Sequence, residues 1–208
     1  MTRVFWDVDT QVDFIEPDGK LYVPGSETIR RNLARLTTFA HDHGIRIVAS
    51  SDCHVPGDEE LSGDPDFADT FPPHCMQGTP GQARIPETQL RDALVIEPDT
   101  APTEALALLE RHDGDLLFHK RHFDVFTNPC VTPCVEASGI TEATLYGVAL
   151  DVCNRYAVEG LLEHHPTIAI TVVTDAVRAI DEARRDELLG GWQARGVTMA
   201  TTEEITGV

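Results

Sequence analysis

The sequence predicts an α/β fold, a three-layer α/β/α sandwich around a mostly parallel, doubly wound sheet of about six strands. Short runs rich in β-branched and aromatic residues alternate with segments whose apolar residues recur at helical spacing, the pattern of repeated βα units. The chain has 208 residues, of which 41% are hydrophobic, enough to bury one sizeable core. No linker, repeat or low-complexity segment interrupts the pattern, so we expect a single domain over residues 1–208.

Six segments are predicted to form the strands, each a short run dominated by apolar or β-branched residues. The last two are mostly apolar and are followed by polar residues and a helical pattern, which is typical of central strands in a parallel sheet. The predicted strands cover residues 4–8, 46–50, 93–96, 116–119, 143–148 and 168–173.

Helical patterns separate these strands. The first helix is expected to begin with Ser26 as its N-terminal cap, and Gly44 stands where a C-terminal cap is expected. Later helices are predicted over residues 103–111 and 181–195, and another begins at Cys153. These helices return the chain to the sheet, as parallel strands require.

Composition restricts the partners and the compartment. Sixteen basic and thirty-five acidic residues give a net charge of -19, which repels nucleic acid and anionic lipid surfaces. The five cysteines are an odd number without paired C-x-x-C spacing, which argues against a disulfide framework or a zinc ribbon. No apolar run approaches the ~20 residues needed to span a bilayer. We therefore expect a cytoplasmic protein with no nucleic-acid or membrane partner.

Residues 52–89 form a long segment without clear periodicity, rich in Pro, Gly and Asp. A loop of this length exceeds an ordinary βα connection and is usually functional. Ligands of open α/β sheets bind at the carboxyl ends of the strands. Polar residues at those ends and in this loop are therefore the candidates for a site.

The expected strand ends carry three reactive side chains, Asp9, Lys120 and Cys153. Cys153 opens a helix, whose N-terminal N–H groups and dipole lower the pKa of a cysteine and can hold an oxyanion. No histidine has an obvious spacing to activate Cys153, so Asp9 and Lys120 are the available activators. Taken singly, each residue also fits a structural role, as a loop-capping aspartate, a surface lysine or a core cysteine.

A second group of residues has the chemistry of a metal site. Asp52 and His54 stand at i and i+2 where the second strand ends, so both side chains can project to one side. His74 in the long loop supplies a third ligand. Two imidazoles and one carboxylate suit zinc, iron or manganese, with coordination positions left open. The same spacing also arises by chance, and the flanking Cys53 and Cys75 are not expected to be ligands.

Together these motifs resemble the nicotinamidases within the isochorismatase-like cysteine hydrolase superfamily. The resemblance spans nearly the whole chain, and the order and spacing of its motifs make it specific. It is carried by D-T-Q-V-D-F at 9–14, S-D-C-H at 51–54, P-P-H-C-M-Q-G-T-P-G at 72–81, Lys120, and G-V-A-L-D-V-C at 147–153.

The resemblance implies a role for each group of residues. Some family members use another histidine of the loop as a fourth metal ligand, and the corresponding region here offers Asp58, Glu59 and Glu60 instead, of which Glu60 is the candidate. A cis peptide bond is implied between Val148 and Ala149. The implied roles are a catalytic triad of Asp9, Lys120 and Cys153, an oxyanion hole from the N–H groups of Ala149 and Cys153, an aromatic sandwich for a pyridine ring from Phe14 and Phe71, and metal ligands Asp52, His54 and His74.

The activity implied by the resemblance is hydrolysis of nicotinamide to nicotinate and ammonia through a thioester on Cys153, a step of NAD salvage. The implied cofactor is one divalent metal ion, with zinc favoured and iron or manganese as alternatives. The implied partner is a small-molecule amide, and homo-oligomers are frequent in the family.

Three departures from the family pattern keep a second activity open, that of a metal-bearing hydrolase acting on a different small amide. Phe71 stands where tryptophan is usual, Leu150 replaces a frequent threonine, and segment 122–129 differs from the usual tyrosine- and glycine-rich sequence. Isochorismatase activity itself needs no nucleophilic cysteine, which disfavours it here. Two other classes are a metallohydrolase using metal-bound hydroxide and a phospho-acceptor signalling domain, although the latter leaves Cys153 unexplained.

Overall fold

The computed structural model describes residues 2–207, which form a seven-stranded sheet flanked by helices on both faces. The strand order is β3-β4-β2-β1-β5-β6-β7, and every neighbouring pair is parallel. The α/β class and the three-layer architecture predicted from the sequence are confirmed. The strands are β1 (Thr2–Val8), β2 (Arg46–Asp52), β3 (Leu94–Ile96), β4 (Leu116–Lys120), β5 (Ile140–Val148), β6 (Ala169–Arg178) and β7 (Thr198–Ala200).

Seven helices of residues 2–207 lie in two layers, each with its own apolar core. Helices α3 to α6 pack on one face of the sheet, and α1, α2 and α7 pack on the other. Short 3-10 turns also lie in the connections, at Ser26–Ile29, Pro80–Gln82, Pro86–Thr88 and Val125–Thr127. The helices are α1 (Val12–Ile15), α2 (Arg30–Asp42), α3 (Pro102–Leu109), α4 (Val131–Ala137), α5 (Cys153–His164), α6 (Glu182–Ala194) and α7 (Thr202–Thr206).

The central strand β1 shows why the sheet is covered on both faces. Val4, Trp6 and Val8 belong to one core, whereas Phe5 between them belongs to the other. All four are at most 1% exposed. Alternate side chains of a strand point to opposite faces, so a run of apolar residues requires helices on both sides.

The strand order changes direction at β1 and β5. From β1 the chain proceeds to β2 on one side, and from β5 it proceeds to β6 on the other. Such a switch point leaves a crevice at the carboxyl ends of the two strands, where ligands of open α/β sheets bind. The fold therefore places this crevice beside the residues that follow Val8 and Val148.

Two details of the elements differ from the sequence-based expectation. The strand β7 was not predicted, because its three residues are too few to produce an apolar run, and its pairing with β6 is a tertiary feature. Ser26 does not cap a helix, since its Oγ donates to the carbonyl oxygen of Phe14 over 2.8 Å and α2 begins later, at Arg30. Gly44 follows the C-cap of α2 with φ +63°, as expected for a residue that ends a helix.

The long loop after β2 is anchored to the segment that follows β1. Arg84 Nη2 lies 2.5 Å from a carboxylate oxygen of Asp7, whose side chain is fully buried. Asp13 accepts a hydrogen bond of 2.7 Å from the N–H of Cys75. These contacts hold a segment that has little regular structure of its own. Within residues 2–207, no helix has the length and apolar character needed to cross a bilayer.

Gly147 should be indispensable for stability, because β5 has no room for a side chain at this position. Its φ is +116°, and an added Cβ would lie 2.0 Å from the carbonyl oxygen of Val8 in the adjacent strand. We expect Gly147→Ala to lower the free energy of unfolding by at least ~1–3 kcal/mol, measured by urea denaturation. Gly190→Ala is the matched control, since nothing lies within 4 Å of its added Cβ and alanine favours helix by about 0.5–1 kcal/mol. Equal stability of Gly147→Ala and the parent would contradict the tight contact.

Candidate active site

Three polar side chains from different strand ends meet in one buried cluster. Asp9 follows β1, Lys120 ends β4, and Cys153 begins α5 directly after the β5 turn. Lys120 Nζ lies 2.9 Å from Asp9 Oδ2 and 3.7 Å from Cys153 Sγ. Ser50 Oγ donates to the other carboxylate oxygen of Asp9 over 2.7 Å, which fixes its orientation. The structure thus brings together all three residues predicted as a catalytic triad.

Burial controls the protonation of this cluster. Removal from water raises the pKa of Cys153 well above its usual value, although the Lys120 ammonium acts in the opposite direction. The sequence indicated a helix N-terminus that lowers the pKa of Cys153, whereas burial in the folded chain acts in the opposite direction. Burial also raises the pKa of Asp9, which makes its carboxylate a stronger base. A thiol that rests in its protonated form needs such a base to become a nucleophile.

Lys120 keeps its charge although it is only 1% exposed. Burial alone would disfavour the ammonium, but the carboxylates of Asp52 and then Asp9 raise the pKa of Lys120 well above its usual value. Lys120 Nζ also donates directly to Asp52 Oδ1. This lysine therefore links the cluster around Cys153 to the predicted metal ligands.

The turn between β5 and α5 presents backbone N–H groups beside the thiol. The peptide bond between Val148 and Ala149 is cis, as the family resemblance implied. The Ala149 carbonyl accepts hydrogen bonds from the N–H groups of Val152 and Asn154, at 3.1 and 3.0 Å. Within residues 2–207, the N–H groups of Ala149 and Cys153 find no protein acceptor. Both are therefore available to an oxygen atom of a bound molecule.

The predicted metal ligands also meet. One ligand atom from each of Asp52, His54 and His74 lies within 4.8 Å of the other two. The Nε2 atoms of His74 and His54 are 3.5 and 3.8 Å from the same oxygen, Asp52 Oδ2. All three residues are at most 3% exposed. Two imidazoles and a carboxylate in this arrangement have the donor chemistry of a zinc, iron or manganese site.

The Nδ1 atom of each histidine contacts an oxygen atom outside the predicted ligand set. His74 Nδ1 lies 2.8 Å from the carbonyl oxygen of Pro72, and His54 Nδ1 lies 3.1 Å from a carboxylate oxygen of Asp58. Both partners accept, so Nδ1 of each ring carries the proton and Nε2 is left with its lone pair. His54 Nε2 is buried without a hydrogen-bond partner. An unsatisfied lone pair inside the protein fits a site that accommodates a metal ion.

Glu60, the candidate fourth ligand, lies against His54. Its Oε2 is 3.8 Å from His54 Nε2 and has no hydrogen-bond partner. Its Oε1 accepts a hydrogen bond from the backbone N–H of Phe123. Burial raises the pKa of Glu60 to about 7, so this carboxyl group is half-protonated near neutral pH in the metal-free protein. Its role as a ligand stays a prediction.

A narrow, mainly apolar cleft joins the thiol to the metal ligands. Phe14 and Phe71, both predicted from the sequence, are part of its wall, and Phe123 is a third aromatic ring that was not predicted. The Phe71 and Phe123 rings are perpendicular, with centroids 5.5 Å apart. The cleft is lined by Phe14, Leu21, Val23, Asp52, Phe71, His74, Phe123, Ala149, Val152, Cys153 and Ile180.

Gln11 is a functional residue that the sequence reasoning missed. Its Nε2 donates to the carbonyl oxygens of Asp52 and Gln82, each over 2.8 Å, and its Oε1 accepts from the N–H of Asp52 over 2.7 Å. One amide side chain therefore fixes the backbone of a predicted metal ligand and ties the long loop to it. Its place inside the D-T-Q-V-D-F motif was the available signal.

Comparison with known proteins identifies relatives. The family model of the isochorismatase domain matches residues 7–97 and 89–204. The nicotinamidase/pyrazinamidase of Mycobacterium tuberculosis is 28% identical over 173 residues, covering 83% of this chain and 84% of the relative.

Solved structures share the fold. Pyrazinamidase of Pyrococcus horikoshii in complex with zinc superposes with a TM-score of 0.73 at 20% identity, covering 97% of this chain and 99% of that one. N-carbamoylsarcosine amidase of Thermoplasma acidophilum gives a TM-score of 0.73 at 22% identity, covering 98% of both chains.

The pH dependence of metal affinity should show whether Glu60 is a ligand. With a pKa of about 7, its carboxyl group keeps a proton at lower pH, and a metal ion must displace that proton to bind. Affinity should therefore decrease as the pH falls below about 7, by up to ~10-fold per unit from this group. Competition with a chelating dye measures it in the parent and in Glu60→Gln, which should lose this component of the slope. Glu59→Gln, at an exposed neighbouring residue, is the control. Identical slopes in all three proteins would remove Glu60 from the ligand set.

Proposed function

The chain belongs to the isochorismatase domain family, and from that premise we propose that it is a cysteine amidohydrolase of the nicotinamidase type. The observation that carries the proposal is the buried contact of Lys120 with Asp9 and Cys153. Cys153 lines the same cleft as Asp52 and His74. Cys153, Asp9 and Lys120 would then act as nucleophile, base and cation beside a cleft whose wall contains the aromatic rings of Phe14, Phe71 and Phe123.

In the proposed reaction Asp9 removes the thiol proton of Cys153, and the sulfur attacks the carbonyl carbon of the amide. The oxygen that becomes negative accepts hydrogen bonds from the free N–H groups of Ala149 and Cys153. Lys120 keeps its positive charge beside the reacting groups and stabilises the negative charge that passes between Asp9 and the sulfur.

The same carboxyl group completes the reaction. Protonated Asp9 gives its proton to the leaving nitrogen, the C–N bond breaks, and ammonia departs from a thioester on Cys153. A water molecule, deprotonated by Asp9, then attacks the thioester carbonyl. The C–S bond breaks, the acid is released, and the proton returns to the sulfur. Amide and water are thereby converted to acid and ammonia without net change in the enzyme.

Asp52, His54 and His74 would hold a divalent metal ion next to the Cys153 cluster, to which Lys120 links them, with Glu60 as a fourth ligand. When bound, an ion such as zinc supplies a Lewis acid that can anchor a ring nitrogen of the substrate. Phe14 and Phe71 would pack against the ring and orient its amide towards the nucleophile. With nicotinamide as substrate, the enzyme would serve NAD salvage in the cytoplasm.

A different small amide is the second candidate substrate, favoured by a wider cavity outside the cleft. This outer cavity shares Phe71 and Phe123 with the cleft and adds Arg155 and Tyr156. The Arg155 guanidinium stacks on the Tyr156 ring, 4.9 Å from its centroid, and its Nε is buried without a partner. A substrate with an acidic extension would satisfy this cation. Faster ammonia release from carboxylate-bearing amides than from nicotinamide would favour this substrate class.

Asp9→Asn should abolish turnover, because the amide retains the shape of the side chain but cannot accept and return a proton. A loss of ~100-fold or more is expected from general acid–base catalysis, measured as ammonia release from nicotinamide. Circular dichroism and metal analysis should show an unchanged fold and metal content. Asp18→Asn changes an exposed aspartate and should retain full activity. Activity of Asp9→Asn within a few-fold of the parent would exclude Asp9 as the proton carrier.

His54→Ala should show whether the metal orients the substrate without being needed for the reactivity of the Cys153 thiol. The variant loses one metal ligand but none of the groups around Cys153, so nicotinamide turnover should fall strongly while Cys153 is still alkylated by iodoacetamide. Benzamide, which lacks the ring nitrogen, should be a poor substrate of the parent and lose little further activity.

His43→Ala, at an exposed histidine, is the control for this comparison. In an enzyme that uses metal-bound hydroxide, His54→Ala would lower activity on both amides equally, and Cys153→Ser would remain active. Equal losses for nicotinamide and benzamide would therefore contradict the anchoring role of the metal, and turnover by Cys153→Ser would contradict the thioester mechanism.

A further inference from the structure

A second cluster of metal-binding side chains lies at the same edge of the sheet but on its other face. Cys53 follows β2, Glu97 follows β3, and His119 is in β4. Their sequence neighbours Asp52 and Lys120 belong to the candidate active site. Consecutive side chains of a strand point to opposite faces, so this cluster is separated from the cleft by the sheet itself.

The three side chains are close enough to hold one ion. One ligand atom from each of Cys53, Glu97 and His119 lies within 4.8 Å of the other two. His119 Nδ1 lies 2.9 and 3.0 Å from the two carboxylate oxygens of Glu97. Cys53 is only 3% exposed, whereas the Glu97 side chain is 48% exposed. The thiol is therefore sheltered while the carboxylate reaches solvent, which provides a route of entry.

We propose that Cys53, Glu97 and His119 form a second metal site, for a divalent ion of the zinc type. Thiolate, imidazole and carboxylate are all ligands of zinc, and three of them leave one tetrahedral position for water or another ligand. The nearby Arg121, which would oppose a cation, is paired with Asp99 at 3.2 Å.

The binding step is balanced in charge and protons. The Cys53 thiol releases its proton to solvent as the metal–sulfur bond forms. Thiolate and the Glu97 carboxylate then supply two negative charges for the two positive charges of the ion. The site also contacts the catalytic strand ends, since the N–H of Cys53 donates to the carbonyl oxygen of Lys120 over 2.9 Å. Metal bound here would restrain the backbone that positions Lys120.

Titration of the metal-free protein with Co²⁺ tests the proposal, because a thiolate bound to cobalt gives a charge-transfer absorption in the near ultraviolet. The site of Asp52, His54 and His74 contains no sulfur, so this absorption reports only the second site. We expect two equivalents of Co²⁺ to bind and the thiolate absorption to appear with one of them. Zn²⁺ should displace the cobalt and abolish the absorption.

Two substitutions distinguish the sites. Cys53→Ser should lose the thiolate absorption and one equivalent of Co²⁺, whereas His54→Ala should lose one equivalent and keep the absorption. Glu97→Gln should lower the Co²⁺ affinity of the second site by about tenfold or more. This variant replaces Cys53→Ser in the test if the serine variant does not fold.

Cys153→Ser is the control for the other thiol close to metal ligands, and it should keep the absorption. Absence of the absorption in the parent, its persistence in Cys53→Ser, or its loss in Cys153→Ser would each overturn the proposal. None of these outcomes depends on the catalytic activity, so the proposed amidase function is tested separately.

Discussion

The buried ammonium of Lys120 is the interaction on which the rest of the site depends. An unpaired charge in the interior costs several kcal/mol, and here Asp9 and Asp52 pair with it. Each carboxylate in turn needs the cation, because two buried carboxylates close together would otherwise repel one another. The positive charge of Lys120 therefore holds together the carboxyl ends of β1, β2 and β4. The thiol cluster and the predicted metal ligands form a single electrostatic unit.

The parallel sheet makes this convergence possible, and the segment after β1 maintains it. Gln11 fixes the backbone of Asp52, and Asp13 binds the N–H of Cys75, next to His74. Asp7, at the end of β1, holds Arg84 at the far end of the same loop. Alternate polar residues of one short segment thus position a loop that has no strand of its own. Only Asp9 in this series contacts the reacting groups, and its neighbours position the loop.

The sequence was sufficient to predict features with a local cause, and tertiary contacts explain the rest. Apolar runs revealed six strands, and chemically distinctive residues at their ends revealed the site. Phe123 was missed because nothing in its local sequence shows which cleft its ring lines. The raised pKa of Cys153 was not expected, because the helix terminus is visible in the sequence whereas burial of the thiol is a property of the folded chain. Gln11 was missed for the same reason.

In the proposed enzyme, substrate choice and metal binding would be coupled through the segment that follows β4. The chemistry proposed for Asp9, Lys120 and Cys153 would suit any small amide, so selectivity would come from the walls of the cleft. Phe123 contributes its ring to that wall and its backbone N–H to Glu60 Oε1. Glu60 Oε2 in turn lies 3.8 Å from His54 Nε2. A change of sequence that moved the backbone of Phe123 would shift both its ring and Glu60, so the shape of the cleft and the position of the candidate fourth ligand would change together.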